Sequence, residues 1–570
     1  MSWPDAILHR RLDAAPAQAP PARAPAIDPR LTGWSTRVGG PVALGAAMLM
    51  AVTLLIGRPT VFTDTDDYFS QGKDVVKAAT LWITQGRPPI NPAEVDDRLH
   101  DPGDQDEEPV HNQNGARSVY YGLFVYACER IGTLWLLAAA QAALAAGIVY
   151  ALWRVVAPGA QTRSYLVTMA VLAAGSSLPV FTGFAMPDLF AGFSVAATLL
   201  VTLYADRFGV WGKAVLWLLL AACVNFHGSN LLTSLGLAVL SLGWLAWRRA
   251  PWRVLAARGG MVLAAAMVAI LASEAYAVAI KLRTGDELGR PPFLTARVLA
   301  DGPGRAYLRH ACALRPFGDG EKLTLCAVRN APLADTEEIL WSDDPAKGIF
   351  NSADYHARVR LEHEERGFVL HALAYDPLGE VSAAFRNWGT QLVTVGYDEP
   401  LRDPAYYLSD EYWKTTTLKP LLLRDKPCDP EVGACILHVP AVLMSEIDAG
   451  VALLALGWLG AMLGQEAVRS RRRPHLRPHP EPVEGRGRGA PGGSLVLRQA
   501  QDEATADRVE WRESTLRTRA TVVLMVLAVA LNAAVCGVLS GPFARYEARV
   551  LWLIPAAALL LHAARRPAAR

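Results

Sequence analysis

Apolar runs recur along this chain from Val38 to Ala563, each near the ~20 residues needed to cross a bilayer core of roughly 30 Å. Inside hydrocarbon, backbone N–H and C=O groups find no water, so each run must bond its own backbone as a helix. The fold expected is mainly α: a polytopic membrane bundle of about ten spans, with an extracytoplasmic soluble domain that is α or α/β. The spans are Val38–Ile56, Thr133–Trp153, Tyr165–Phe181, Leu189–Tyr204, Val215–Phe226, Leu231–Trp247, Met261–Ile280, Ile447–Leu463, Ala520–Leu539 and Leu551–Ala563. Leu189–Tyr204 and Leu231–Trp247 are the least secure, because each forms a tight hairpin with its predecessor.

Arginine orients the bundle. With the N-terminus inside, the cytoplasmic turns hold Arg154 and Arg163, then Arg207 and Lys213, then Arg248, Arg249, Arg253 and Arg258. About a dozen arginines follow the eighth span, and Arg565 and Arg566 follow the tenth. Every cytoplasmic turn thus carries the positive charge that retained loops carry, and an odd number of spans would break the pattern.

This topology divides the chain. Residues 1–37, rich in Ala, Pro and Arg, read as a disordered cytoplasmic tail, with no cleavable signal peptide. A membrane domain (38–281) contains the first outer loop (58–131), and residues 282–438 form the extracytoplasmic domain. One span (439–466), a cytoplasmic linker (467–519) and two C-terminal spans (520–570) complete the chain. Within the linker, residues 474–503 include HPEPVEG and LRQAQDE, which resemble translated copies of a short palindromic bacterial DNA element. That stretch reads as an insertion into a tolerant loop, so its glycines and histidines carry no site.

Four of the seven cysteines, Cys312, Cys326, Cys428 and Cys435, fall in the exported domain, two and two by proximity. Disulfides Cys312–Cys326 and Cys428–Cys435 in an oxidising compartment are expected. Cys128, Cys223 and Cys536 lie in or beside spans as packing residues.

The signatures of soluble enzymes are missing: no Walker loop, GxSxG elbow, HExxH or paired CxxC occurs. His356 and His363 share one face of an expected helix over 354–373, which also holds His371, but no third ligand converges and a solvated face is expected. No nucleic-acid partner is expected.

What the outer side does hold is polar residues at one membrane depth. Asp64, Asp66 and Asp67 of the run TDTDDY follow the first span directly, where carboxylates can be held against a bilayer. The first loop closes with HNQNGARSVYY, carrying Arg117, Tyr120 and Tyr121. Later outer turns contribute Asp188, His227 and the sequence GPFARYEAR with Arg545, Tyr546 and Arg549. Arginines on this side oppose the topological bias, so they either bind an anion such as a lipid phosphate or pair with neighbouring acids. Asp188 has two readings, helix cap or catalytic acid. So has Glu274 in the seventh span: a functional intramembrane acid or a packing contact.

The acidic cluster after the first span, the large first loop, the late outer domain and the terminal Arg-Tyr turn together resemble the C-type glycosyltransferases, polytopic enzymes that use polyprenyl-phosphate sugars outside the membrane. TDTDDY and ARSVYYGLF look like loops of uncharacterised bacterial members of that class. Asp64, four residues before Tyr68, matches the family's Asp-acidic-x-x-Tyr pattern, which implies a catalytic carboxylate at Asp64. Position 65 departs from it, with Thr for the usual Glu, so Asp66 or Asp67 would carry the second acidic role. Asp188 stands where some members place a second acid.

The resemblance implies displacement at an anomeric carbon. A carboxylate (Asp64, Asp66 or Asp188) takes the acceptor proton, while Arg117, Arg545 and neighbours Asp67, Tyr120, His227 and Tyr546 bind substrate. Some members of the class use a divalent cation and others none; Asp64 and Asp66 would hold it here. The implied partners are the bilayer, a polyprenyl-phosphate sugar and a glycan or glycolipid acceptor. The implied location is a bacterial inner membrane, with the site facing the periplasm. An O-antigen-type polymerase, a lipid-linked glycan flippase and a non-enzymatic assembly protein stay open as alternatives. The flippase should place more polar residues inside its spans than Glu274 alone, and internal repeats typical of transporters are not visible.

Overall fold

A computed structural model describes residues 38–85, 115, 117–285, 287–314, 323–402, 440–472 and 493–565. Their regular structure is helical, with no strand among them beyond one isolated bridge between Thr60 and Phe184. Eight helices are long and apolar enough to cross a membrane. The expected pairing Cys428–Cys435 and the residues around His111 lie outside the described part.

α1 (Gly39–Ile56) is the first span, closed by Gly57 at φ 93°, a left-handed turn that glycine adopts without strain. In the expected first loop the described residues form two helices, α2 (Thr63–Gln85) and α3 (Val119–Ile131). They cross at two glycines: a methyl on Gly72 would stand 2.3 Å from the Gly122 carbonyl oxygen, and one on Gly122 2.3 Å from that of Tyr68. Only glycine permits this backbone approach.

α4 (Leu134–Val156) is the second span. The expected third span breaks into α5 (Thr162–Gly175) and α6 (Leu178–Gly183). At the break Ser176 Oγ bonds back to Leu172 O at 2.6 Å, and Pro179, with no N–H to give, starts the new helix. α7 (Leu189–Tyr204), doubtful from sequence, is the centre of the bundle: all its residues are buried. α8 (Val210–Phe226) is a shorter apolar helix of 17 residues, followed by the spans α9 (Gly228–Trp247) and α10 (Trp252–Thr284).

The outer segment is α, not α/β, among its described residues. α11 (Phe293–Asp301), α12 (Pro303–Leu314), α13 (Thr336–Trp341) and α14 (Tyr355–Tyr375) bury Leu299, Leu308, Ile339, Phe350, Leu361 and Phe368 in a core separate from that of the membrane bundle. The disulfide Cys312–Cys326 ties α12 to the loop before α13. α15 (Pro377–Val393) leaves this core and packs on the bundle.

α16 (Ala441–Arg472) returns through the membrane, and α17 (Gly493–Leu539) follows. α17 reaches back to Gly493, so helix occupies the end of the stretch read as an irregular insertion. The last span is a bent pair, α18 (Ala544–Leu551) and α19 (Leu553–Arg565), almost wholly enclosed.

Candidate functional site

The site begins where α1 ends. Thr60 accepts from Ala185 N (2.8 Å) while its own N–H donates to Gly183 O (2.9 Å), holding the first loop against the turn before α7. Thr65 then fixes the start of α2: its Oγ accepts from Phe62 N at 2.9 Å and donates to Ala185 O at 3.1 Å. Thr65 is therefore a fully buried anchor, and it sets Asp64 on the same side of Arg545 as Asp188.

Six distant pieces of sequence meet there, contributing Asp64 and Asp67, Arg117, Asp188, Ser229, Glu399, and Arg545 with Arg549. Arg117 Nη2 donates to Asp64 Oδ1 at 2.6 Å, and its Nε lies 3.8 Å from Asp67 Oδ2. Asp64 and Asp67, three residues apart, share one face of α2, whereas Asp66 projects from another face. Arg545 Nη1 donates to Glu399 Oε2 at 2.6 Å, and its other nitrogens stand 3.9 Å from Asp64 and 4.0 Å from Asp188. One turn further along α18, the fully buried Arg549 donates to Asp188 Oδ1 at 3.2 Å and to Ser229 Oγ at 2.8 Å. Three guanidinium groups and four carboxylates thus interlock at one end of the spans.

The arginines do pair with acids of neighbouring turns, yet their donors are not used up. The Nε of Arg117, Arg545 and Arg549 is buried in each case with no hydrogen-bond partner among the described residues. A guanidinium has five donors in a fixed fork, and an unpaired buried one is costly. Such a set is suited to an anion that can reach it.

Beside the cluster lies a cavity of about 590 Å³. Arg117, Tyr68, Tyr120, Asn225, His227, Ser229 and Tyr546 form its polar end; Val224, Leu231, Ile270, Val535 and Leu539 form an apolar wall between the spans. Ile270 and Leu232, also in that wall, are 43 % exposed, so the cavity borders the lipid-facing surface. Tyr120 is fixed by donating to Ala272 O at 2.7 Å. His227 caps α9, its ring Nδ1 2.9 Å from Ser229 Oγ and its ring edge against Tyr546. Burial, and then the charges of Arg549, Arg545 and Arg117, hold the His227 imidazole well below its usual range, so it is neutral at pH 7.

The outer domain supplies what the sequence did not single out. Burial pushes the Glu399 carboxyl above the usual range despite the opposing charge of Arg545, with Asp188 and Asp64 pushing the same way. The exposed Glu337 of α13 acts on the same charges, and the Trp341 ring lies 5.7 Å from the Arg117 guanidinium carbon. Nothing in the local sequence of these residues marks them, since each is an ordinary acid or aromatic of a polar domain until the fold brings it over the cluster. Tyr68, buried against the edge of Tyr121 (5.1 Å), has its hydroxyl pushed up by burial, against the pull of Arg117.

Other candidates fall elsewhere. Glu274 is exposed and takes Arg290 at 2.8 Å, so it is a surface pair. His363 faces water beside Glu287 (3.3 Å), as a solvated helix face requires. A second acid in the spans, Asp448 of α16, is buried; it accepts from Tyr397 Oη at 2.6 Å and Ser177 N at 3.1 Å, pinning the outer segment to the break before α6. Among the described residues no group of three or more His, Cys, Asp or Glu side chains is placed to hold a metal ion. The carboxylates near Asp64 face guanidinium groups instead, so the donor set does not fit a protein-held cation.

No family model matches this chain, and neither does any curated protein or any solved structure.

Proposed function

We propose that this protein is a membrane glycosyltransferase that moves a sugar from a polyprenyl-phosphate donor to a glycan or glycolipid acceptor, on the periplasmic face of a bacterial inner membrane. The observation that carries this reading is the double position of Arg117, which is both the ion-pair partner of Asp64 and part of the polar end of a cavity bordered by lipid. A phosphate entering that cavity from the bilayer competes with Asp64 for the guanidinium. It thereby leaves the carboxylate free to act as a base.

In this mechanism Asp64 takes the proton of the acceptor hydroxyl as that oxygen bonds to the anomeric carbon. The bond from that carbon to the phosphate oxygen breaks, and the electron pair leaves with the phosphate. Arg117 and Arg545 hold the charge that grows there, in a water-poor site where each contact counts for more than in bulk solvent. Asp188 keeps Arg549 and Arg545 in place from below, and Glu399 and Trp341 close the site from above. The test is transfer from a labelled polyprenyl-phosphate sugar into membrane glycan. Transfer should be lost in Asp64→Asn and donor affinity weakened in Arg545→Ala, with Glu337→Gln close to wild type. Full activity in both Asp64→Asn and Asp188→Asn sinks the reading.

A further inference from the structure

α15 belongs by sequence to the outer domain, yet it packs where lipid should be. At its C-terminal end Gln391 exchanges two hydrogen bonds with the Phe543 backbone, 2.9 and 3.0 Å, just beyond the end of the spanning helix α17. One turn earlier, a methyl on Gly537 would meet Asn387 O at 2.7 Å. Trp388 reaches further down and donates from Nε1 to Ala530 O at 3.0 Å. Ala530 precedes Leu539 by nine residues, which at 1.5 Å per residue is about 13 Å below the outer end of α17. A side chain points toward the N-terminus of its own helix, so the first half of α15 runs downward alongside α17.

The outward face of α15 and of the end of α14 is apolar. Leu378 is 82 % exposed and Phe385 64 %, with Leu370, Leu373 and Val381 also open. Val523 and Leu527 of α17, seven and three residues before the Ala530 that Trp388 reaches, are also open, as on the lipid-facing side of a span. Two polar groups of the hairpin are turned inward and matched: Asp376 caps α15 through Gly379 N at 2.9 Å, and Asn387 donates to Asp301 at 2.9 Å. An apolar surface of this extent at the depth of a membrane helix suits neither water nor a polar partner.

We propose that the α14–α15 corner is inserted in the outer leaflet of the bilayer, its Leu, Val and Phe side chains among the acyl chains, so that the outer domain is anchored in the membrane from the side. It enters the leaflet alongside α17 and turns back at the corner, burying its apolar face below the headgroups without spanning. Arg386, near Asp301 at 3.8 Å and half open, is long enough to reach headgroup phosphates from there.

The test uses the full chain in phosphatidylethanolamine–phosphatidylglycerol nanodiscs, with Cys428→Ser and Cys435→Ser to clear reactive thiols; Cys128, Cys223 and Cys536 are buried. A fluorescent label is placed in turn through Leu378→Cys, Phe385→Cys and, as a water-facing reference, Lys347→Cys. Chain-brominated lipid should quench the labels at 378 and 385 several-fold more than at 347, and iodide should show the reverse order. Equal iodide quenching at 385 and 347 overturns the proposal. So does protection of 385 from both quenchers, which would mean that another protein covers the face.

Discussion

The two ends of the bundle both carry arginine–carboxylate clusters, and they are built differently. At the end opposite the site, Asp206 sits between Arg258 (2.8 Å) and Arg517 (2.9 Å), and Glu466 between Arg519 and Arg565 (both 2.6 Å). There each acid is shared by two arginines, Asp206 is 42 % exposed, and Arg258 also caps the C-terminus of α7 through Thr202 O at 2.7 Å. Those clusters fasten helix ends and leave positive charge facing the water, the pattern the sequence-based topology expects of a retained end. At the site end the acids are in excess, the groups are mostly enclosed, and donors are left over beside a cavity. The same chemistry of pairing serves to hold a position at one end and to hold charge in readiness at the other.

The largest effect expected from this contrast is on chemistry. Asp64→Asn keeps the size of the side chain and a contact to Arg117 but removes a base, so sugar transfer should fall by about 10²–10⁴-fold with the protein still folded. A variant that loses its fold instead of its activity would place Asp64 with the structural pairs of the opposite end. Next is Arg549→Met, which strands the buried Asp188 and should cost about 3–5 kcal/mol, measured as loss of unfolding stability in detergent. An unchanged unfolding profile would show that Asp188 does not depend on its partner.

A smaller effect concerns pH. The raised Glu399 carboxyl retains a proton in the folded chain at pH values where the unfolded chain has released it. Its contribution to stability is therefore present at low pH and declines as pH rises through the raised value. Glu399→Gln should flatten the dependence of unfolding temperature on pH in that window, and parallel curves for the two proteins would remove Glu399 from the buried set. Smallest is Arg517→Ala at the opposite end, which leaves Asp206 still paired to Arg258 and should shift stability by about 0–1 kcal/mol. A loss as large as that of Arg549→Met would erase the distinction between the ends.

Much of this architecture was legible because hydrocarbon imposes a simple rule on composition. The apolar runs located eight of the ten expected spans among the described residues, and the cysteine spacing located Cys312–Cys326. The break before α6 was less legible, since Ser176 and Pro179 matter through local hydrogen bonding that an apolar average conceals. At the site, Asp64, Asp188, Arg117 and Arg545 could be picked out because each is polar at an end of a span. Glu399 and Trp341 could not, because a polar domain gives such residues no contrast. The placing of α15 beside α17 was hidden for a related reason. Its apolar face is interrupted in sequence by Asp376, Glu380 and Arg386, and the contacts that place the helix, Asn387 and Arg386 to Asp301 and Trp388 to Ala530, lie far away along the chain.

The glycine crossing of α2 and α3 has a consequence for how the site can vary. Asp64 rides on one helix and Arg117 sits at the root of the other, so the gap between carboxylate and guanidinium is geared to the thickness of a single backbone contact. Adding one methyl at Gly72 or Gly122 inserts a shim where the helices now touch, and the shift passes up both shafts to the ion pair. Selection can in this way widen or narrow the gap between Asp64 and Arg117 without altering any charged residue.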